Sequence, residues 1–589
     1  MSRRHDVVVI GSGHNGLVCA AYLARAGHDV HVVEKDTVIG GATSTVERYP
    51  GHRTDRGSSA HLMIRHTGIP EELDLAAHGL RYIDCDPWGF APAPPGSGAP
   101  PIVFHRDLDA TCASIAAACG DADADAYREF VRRWDVLAGR MMKGFSVRPT
   151  APGLGSAFLG AEDLRDPFGA VQTFLSSGDA LLDSMFDSER LKAALSWFGA
   201  QSGPPMSHPA TAPMIGFAAL MHRIPPGRAV GGSGALADAL TSAIRAHGGT
   251  VTAGAGATAI RRSGPGWRVD TEGGDSLHCS TVVAACHVHT TLDLLEHELP
   301  ATTVDGWRRR IRPGFGLGMV VRLGTTDLPR YPDVPTETSA HGLQLLVTDR
   351  RHLDRRYGVA AAGGLDADPA VLAMSFSSLD PSLAPEGRHE LTLWSQWHPR
   401  HLADGRGWAE AGPGEADRII AAADRFAPGL ADSIVHRHVQ TPEDLETELG
   451  LLGGNVMHVE MSLDQMLPMR PHPDLRGHAV PGADGCSSPE RPPTPAEASS
   501  APAAGRWRDS SAAGSAGRRY GVGGSGQNDR RDRAPTAPAS HDRALHDRAP
   551  LSRLRPLAAV PTGRWPHHAG RPAGRAHRVS ADQRADERP

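Results

Sequence analysis

Near the amino terminus, Gly11-Ser12-Gly13-His14-Asn15-Gly16 carries the spacing G-x-G-x-x-G, and an acid, Glu34, follows 23 residues after Gly11. Each part has a chemical use. Gly11 permits a tight turn, Gly13 lets the backbone approach a pyrophosphate, and Gly16 lets a helix pack close to a strand. The helix N-terminus presents N–H groups and the positive end of its dipole to phosphate. A carboxylate at the end of the next strand can accept hydrogen bonds from ribose hydroxyls. The set points to binding of a dinucleotide.

The elements that must position these residues are legible. His5–Ile10 is a short β-branched run that reads as a buried parallel strand. An Ala/Leu-rich helix is expected from about Asn15 to Ala26, closed by Gly27, and a second strand from about Asp29 to Val33. Glycine spacing alone is a weak signal; inside a β-α-β unit with its acid it is specific. Immediately after Glu34 come Lys35 and a second glycine pair, Gly40-Gly41-Ala42-Thr43. Glycines so close to the ribose acid suit a chain that passes near the flavin end of an extended dinucleotide. This favours FAD over NAD as the cofactor.

Composition narrows the class. The chain has 589 residues, 40% hydrophobic, 5% aromatic and 22% charged, with formal net charge −6. These values exclude a collagen-like chain, a disulfide scaffold and a membrane bundle. No run approaches the ~18–20 apolar residues of a spanning helix, and no secretory segment opens the chain, so a soluble, cytoplasmic protein is expected. Lysine occurs only at Lys35, Lys143 and Lys192, so almost all basic residues are Arg. That bias, with abundant Ala, Gly and Pro, reflects a GC-rich coding sequence rather than nucleic-acid binding. Seven cysteines form no C-x-x-C pair. Two histidine pairs, His287/His289 and His436/His438, each share one face if they lie on strands, but neither has a third ligand, so no metal site is assigned. Trp394, Trp397 and His398 could line a substrate cavity or belong to the core.

The opening segment, VVVIGSGHNGLVCAAYLARAGHDVHVVEKDTVIGGAT, resembles the start of phytoene-desaturase-like FAD oxidoreductases. Three later segments are more specific: Ser377–Gly387 (SSLDPSLAPEG), Thr441–Glu446 (TPEDLE) and Gly453–Met466 (GGNVMHVEMSLDQM). They resemble the group of pyridine nucleotide-disulfide oxidoreductase domain-containing protein 2 and its bacterial relatives. Despite that group's name, thiol–disulfide chemistry is not expected, because the cysteine pair it needs is missing.

The resemblance implies an α/β fold: a Rossmann-type three-layer FAD-binding domain with an interleaved α+β substrate domain. The FAD domain is expected in pieces, at 1–75, 228–300 and 450–485, with substrate-domain insertions at 76–227 and 301–449. Residues 57–66 would return the chain past the flavin. The segments 107–146 and 176–199 show helical apolar spacing, whereas 315–323, 342–348 and 389–395 read as strands. By its position in the family pattern, Ala257 would touch adenine through its backbone, although plain sheet structure explains it equally well. The implied activity is hydride transfer from a small apolar, isoprenoid-like substrate to flavin. Amine oxidation, a non-catalytic flavin-fold regulator and an inactive frameshifted product are the alternatives. The flavin carries the chemistry, so no acid or base is assigned. An apolar substrate leaves peripheral membrane contact open, and the oligomeric state is not read.

The last segment departs from the rest. Residues 486–589 carry net charge +8 against −14 for residues 1–485, with no Ile, Phe, Met or Lys. The family pattern calls here for a strand followed by T/S-G-x-x-x-H-P-G-G-G-V, but the chain reads CSSPERPPTPAEASSAPAAGR. Cys486–Glu490 can be encoded TGT-TCC-TCA-CCG-GAG. One C restored in front gives CTG-TTC-CTC-ACC-GGA, or Leu-Phe-Leu-Thr-Gly. With G/C-rich wobble bases the same frame permits, through Ala504, Ala-Ser-Thr-His-Pro-Gly-Gly-Gly-Val-Phe-Gly-Ala-Ser-Gly. Residues 486–589 therefore read as an out-of-frame translation that lacks part of the flavin motif; the alternative is a basic, disordered tail. Resequencing both strands is expected to reveal a missing base before codon 486, from a sequencing error or a genuine frameshift. An unbroken frame whose natural product yields tail peptides by mass spectrometry, with no base missing relative to close homologous genes, would contradict this.

Overall fold

A computed structural model describes residues 4–147, 151–158 and 167–487. The tail from 488 onward lies outside the described residues.

The first β-α-β unit forms as its pattern requires: β1 (Arg4–Ile10), α1 (His14–Arg25) and β2 (Val30–Val33). Much later in the chain follow α2 (Gly234–Ala246), β3 (Thr250–Thr252), β4 (Ala257–Ser263), β5 (Gly266–Thr271) and β6 (Ser276–Ala284). The sheet order is β4-β5-β6-β1-β2-β3. β1 lies parallel to β2 and β6, with Val9 opposite Val32 and Val283. A last short strand, β7 (Cys486–Ser487), runs parallel beside the far end of β6, opposite Val282 and Val283. The sheet thus extends two residues beyond the expected boundary at 485.

Side chains alternate along a strand, so β1 feeds two cores. Val7 and Val9 pack with Leu17, Ala20 and Ala24 of α1 and with Leu240 and Ile244 of α2. Val8 and Ile10 pack on the other face with Trp267, Val282, Leu292 and Trp307. The many alanines of α1 and α2 let both helices lie close to the strands. The result is a three-layer Rossmann-type domain.

The intervening chain builds a second seven-stranded sheet. Its order is 434–440, 318–325, 389–396, 371–374, 343–346, 89–91 and 102–104. One face is covered by helices that contribute Phe130, Trp134, Trp197 and Ile215. The other face is covered by the helix Trp408–Asp424, through Trp408, Ala416, Ile419 and Ile420. The expected helices and strands of the substrate domain are found in this sheet and the helices that cover it. Among the described residues, no helix is long and apolar enough to cross a membrane.

Candidate cofactor site and adjoining cavity

The C-terminal ends of β1 and β6 and the N-terminus of α1 meet at one edge of the first sheet. Gly11 turns the chain with φ 100°, and its N–H donates to Val33 O at 2.8 Å. A Cβ at Gly16 would overlap the carbonyl oxygen of Gly11 and stand 2.8 Å from Ala285 Cβ. Gly16 therefore fixes how closely α1 approaches the strands. At Gly13, by contrast, a Cβ would meet nothing within 4 Å. Gly13 caps α1 without a side-chain hydrogen bond, and no acid occupies the first turn. Gly13, His14 and Asn15 are all half-buried. This is an open cradle of backbone donors at a helix N-terminus, and its donor chemistry fits a pyrophosphate.

Glu34 lies beside the cradle, buried, with its carboxylate in use. Oε2 accepts from the Ser12 N–H and hydroxyl, both at 2.7 Å, and Oε1 accepts from Asp36 N at 2.9 Å. A carboxylate has about four acceptor positions, so one remains for a ribose hydroxyl. Ser12 Oγ also accepts from Gly40 N at 3.0 Å, tying the two glycine loops together. A Cβ at Gly41 would stand 3.4 Å from Gly13 Cα. Thr43 is buried and donates to Gly40 O at 2.7 Å. Ala42 O accepts from Ser58 N at 2.7 Å, so the 57–66 segment does return to this loop. The turn between β3 and β4 runs alongside: Ala255 N donates to Glu34 O at 2.7 Å, two residues before Ala257, which opens β4. Lys35 is apart from this group, exposed and close to Gly450.

Several residues here were not marked by the sequence pattern. Asp55 and Arg228 form a buried ion pair; Asp55 also accepts from Thr45 Oγ1 at 2.7 Å and from Ser233 N at 2.8 Å. Burial works against the Asp55 carboxylate, but Arg228 and these donors hold its pKa below the ordinary value. His61 is buried between the Tyr82 and Ser233 hydroxyls, each at 2.7 Å, and burial pushes its pKa down to about 3. His14 stands within electrostatic range of both His61 and His458. The only sequence signal was the polar density of GHRTDRGSS, which does not name partners.

His287 and His289 do not share a strand face. His287 caps the short helix Val288–Leu294, accepting from His289 N at 3.2 Å, because β6 has already ended. Their rings stack at 5.4 Å, and each Nε2 bonds a backbone carbonyl: His458 O at 3.0 Å and Ile311 O at 2.9 Å. Both Nε2 atoms are thus engaged by protein carbonyls. Among the described residues no group of three or more His, Cys, Asp or Glu side chains is gathered to hold a metal ion. No disulfide joins the seven cysteines, and burial pushes the Cys19 thiol up to about 12.

The loop that carries His458 also lines a cavity of about 60 Å³. Its walls include Phe315, Leu317, Tyr357, Trp397, Met457 and Met461. Tyr357 stands 5.6 Å from both Phe315 and Trp397, ring to ring. Trp397 is both core and cavity wall: it is 1% exposed and donates to Gly203 O at 2.7 Å. Trp394 instead packs against the core, and His398 is wholly buried between Arg356 and Glu415. One acid, Glu460, borders the cavity and is held by Arg312 at 2.8 Å. A larger groove of about 490 Å³ lies along α2, but no residue of the first glycine loop lines it.

The two glycines separate fold from site. Gly16→Ala is expected to lower the melting temperature and abolish FAD uptake. Gly13→Ala has room in the empty protein, so it should leave the melting temperature unchanged while weakening FAD at least tenfold. Thermal melts and flavin-fluorescence titrations of both variants check this split.

Comparison with known proteins agrees with this geometry. Residues 9–68 match the NAD(P)-binding Rossmann-like domain model, and residues 161–331 the flavin containing amine oxidoreductase model. The chain is 30% identical over 531 residues to pyridine nucleotide-disulfide oxidoreductase domain-containing protein 2 of Rattus norvegicus, covering 81% of this chain and 88% of that one. It is 26% identical over 495 residues to the phytoene dehydrogenase of Streptomyces griseus, covering 82% and 90%. Among solved structures, a redesigned putrescine oxidase variant superposes with TM-score 0.55 at 15% identity, covering 86% of this chain and 98% of that one. Cyclohexylamine oxidase from Brevibacterium oxydans superposes with TM-score 0.51 at 16% identity, covering 86% and 100%. These structural likenesses establish the fold. The chain belongs to the pyridine nucleotide-disulfide oxidoreductase domain-containing protein 2 family, within the phytoene-dehydrogenase-like and amine-oxidase-like flavoproteins, and is a flavin-dependent oxidoreductase whose cofactor is FAD.

Proposed function

We propose that the protein oxidises or desaturates a small apolar, isoprenoid-like substrate. The observation that carries this reading is the aromatic and methionine-lined cavity beside the His458 loop. Bound FAD supplies the hydride acceptor. The first turn of α1 and Gly13 hold the pyrophosphate, Glu34 the ribose, and the backbone at Ala257 the adenine. Phe315, Tyr357, Trp397 and the two methionines offer apolar contact and exclude water, which strengthens polar interactions at the reacting centre.

At about 60 Å³ the cavity holds roughly two waters. A longer substrate therefore enters only if Tyr357 and Phe315, both half-buried, swing aside. Glu460 supports a second reading. Burial and then its nearby charge push the Tyr357 hydroxyl pKa up. A carboxylate beside aromatic faces suits a substrate ammonium, and the match to the amine oxidoreductase model points the same way.

Anaerobic mixing of the FAD-loaded protein with substrate panels separates the two readings. Carotenoid or terpene hydrocarbons are expected to bleach the flavin band, and Trp397→Ala to slow that bleaching by about tenfold or more. Bleaching by primary or secondary amines alone, lost in Glu460→Gln, would replace the apolar reading with the amine one.

A further inference from the structure

His458 has four unusual features at once. Its backbone is left-handed, with φ 62°, a conformation uncommon outside glycine though less so for His than for most side chains. Its Nδ1 is buried with no hydrogen-bond partner. Its ring tilts against His287 at 6.1 Å and lies within electrostatic range of His14 at the start of α1. His287 follows β6 and His14 follows β1, so the ring stands at the sheet edge that forms the cofactor cradle. Burial keeps this imidazole neutral, pushing its pKa down to about 3.

The surrounding loop is fastened at many points. Arg470, wholly buried, donates to Met457 O at 2.7 Å, Val459 O at 3.1 Å and Gln465 O at 3.1 Å. Asn455 Oδ1 accepts from Met457 N at 2.8 Å, and His287 Nε2 bonds His458 O at 3.0 Å. Glu460 N donates to Arg312 O at 2.8 Å. A strained conformation persists where its surroundings over-determine it, and such strain clusters at ligand clamps. A buried, unpaired ring nitrogen is also costly unless a ligand completes it.

We propose that His458 is a cofactor-contacting residue, which the Arg470-fastened loop aims at the cradle so that its Nδ1 completes a hydrogen bond with bound FAD. This rests on the FAD reading of the cradle. The proposal gives the loop two functional sides: His458 toward the cofactor, Met457 and Met461 toward the substrate cavity.

The test uses the full chain and three variants, His458→Gly, His458→Ala and His458→Asn. Glycine suits the left-handed backbone and retains the carbonyl that His287 binds. His458→Gly should therefore leave the melting temperature of the FAD-free protein unchanged or raised. It should also weaken FAD by about tenfold, the effect of one lost hydrogen bond of ordinary strength, and shift the bound flavin's absorption maximum. His458→Ala should weaken FAD equally. His458→Asn, which fits the same backbone and offers a hydrogen-bonding group, should restore part of the affinity. Wild-type affinity and spectrum in both His458→Gly and His458→Ala would overturn the proposal. So would a loss of affinity matched by a fall in FAD-free melting temperature in all three variants, since that marks a structural role. A wild-type chain that takes up no FAD would overturn the cofactor reading itself, and this proposal with it.

Discussion

The close approach of α1 to the ends of β1 and β6 is the constraint on which the site depends. There is no room for a Cβ at position 16 between Gly11 O and Ala285. With glycine in place, the helix N-terminus reaches the sheet edge and its backbone donors gather around Gly13. The same approach puts Ser12 where its hydroxyl joins Glu34 to Gly40. The second glycine loop, the ribose acid and the phosphate cradle thus form one hydrogen-bonded unit. An opening at any member would loosen the others.

From this unit, a chain of buried polar contacts reaches the rest of the molecule. Asp55, at the end of the second strand after the second glycine loop (His52–Asp55), holds Arg228 and the N-terminal approach to α2. The segments that carry the family resemblance act as fasteners. Asp380 of SSLDPSLAPEG accepts from Gly231 N at 2.7 Å, and Glu446 of TPEDLE accepts from Gly453 N at 2.7 Å. GGNVMHVEMSLDQM is the loop that Arg470 clamps between cradle and cavity. On the cavity's other side, Trp397 is itself left-handed, with φ 61°. The next residue, His398, is locked to Glu415 at 2.7 Å. Both walls of the cavity are therefore held by buried charged groups rather than by hydrophobic packing alone.

The first β-α-β unit was legible because its physics is local: period, glycine spacing and the acid all lie within about 35 residues. The second sheet's strands were legible as apolar runs, but not their order, which depends on contacts far apart in sequence. His287 and His289 misled because the pattern does not mark where β6 stops and a helix begins. Lys35 was grouped with the site by adjacency, yet its side chain goes toward Gly450. Asp55, Arg228 and His458 were invisible, since burial and pairing are not written in spacing. At the tail, Cys486 and Ser487 are both 2% exposed on β7. A restored frame would place Leu and Phe there, apolar side chains that suit burial. The frame reading beyond them concerns residues outside the described structure.

The proposed seat of FAD is bounded by the two glycine loops, the β3–β4 turn and the His458 loop. Hydrogen–deuterium exchange of the full chain with and without FAD tests it directly. FAD should slow exchange in peptides spanning residues 10–17, 34–44, 252–258 and 455–461, and leave the strand 318–325 unchanged. No slowing in the first two peptides, or slowing confined to the second sheet, would contradict that placement.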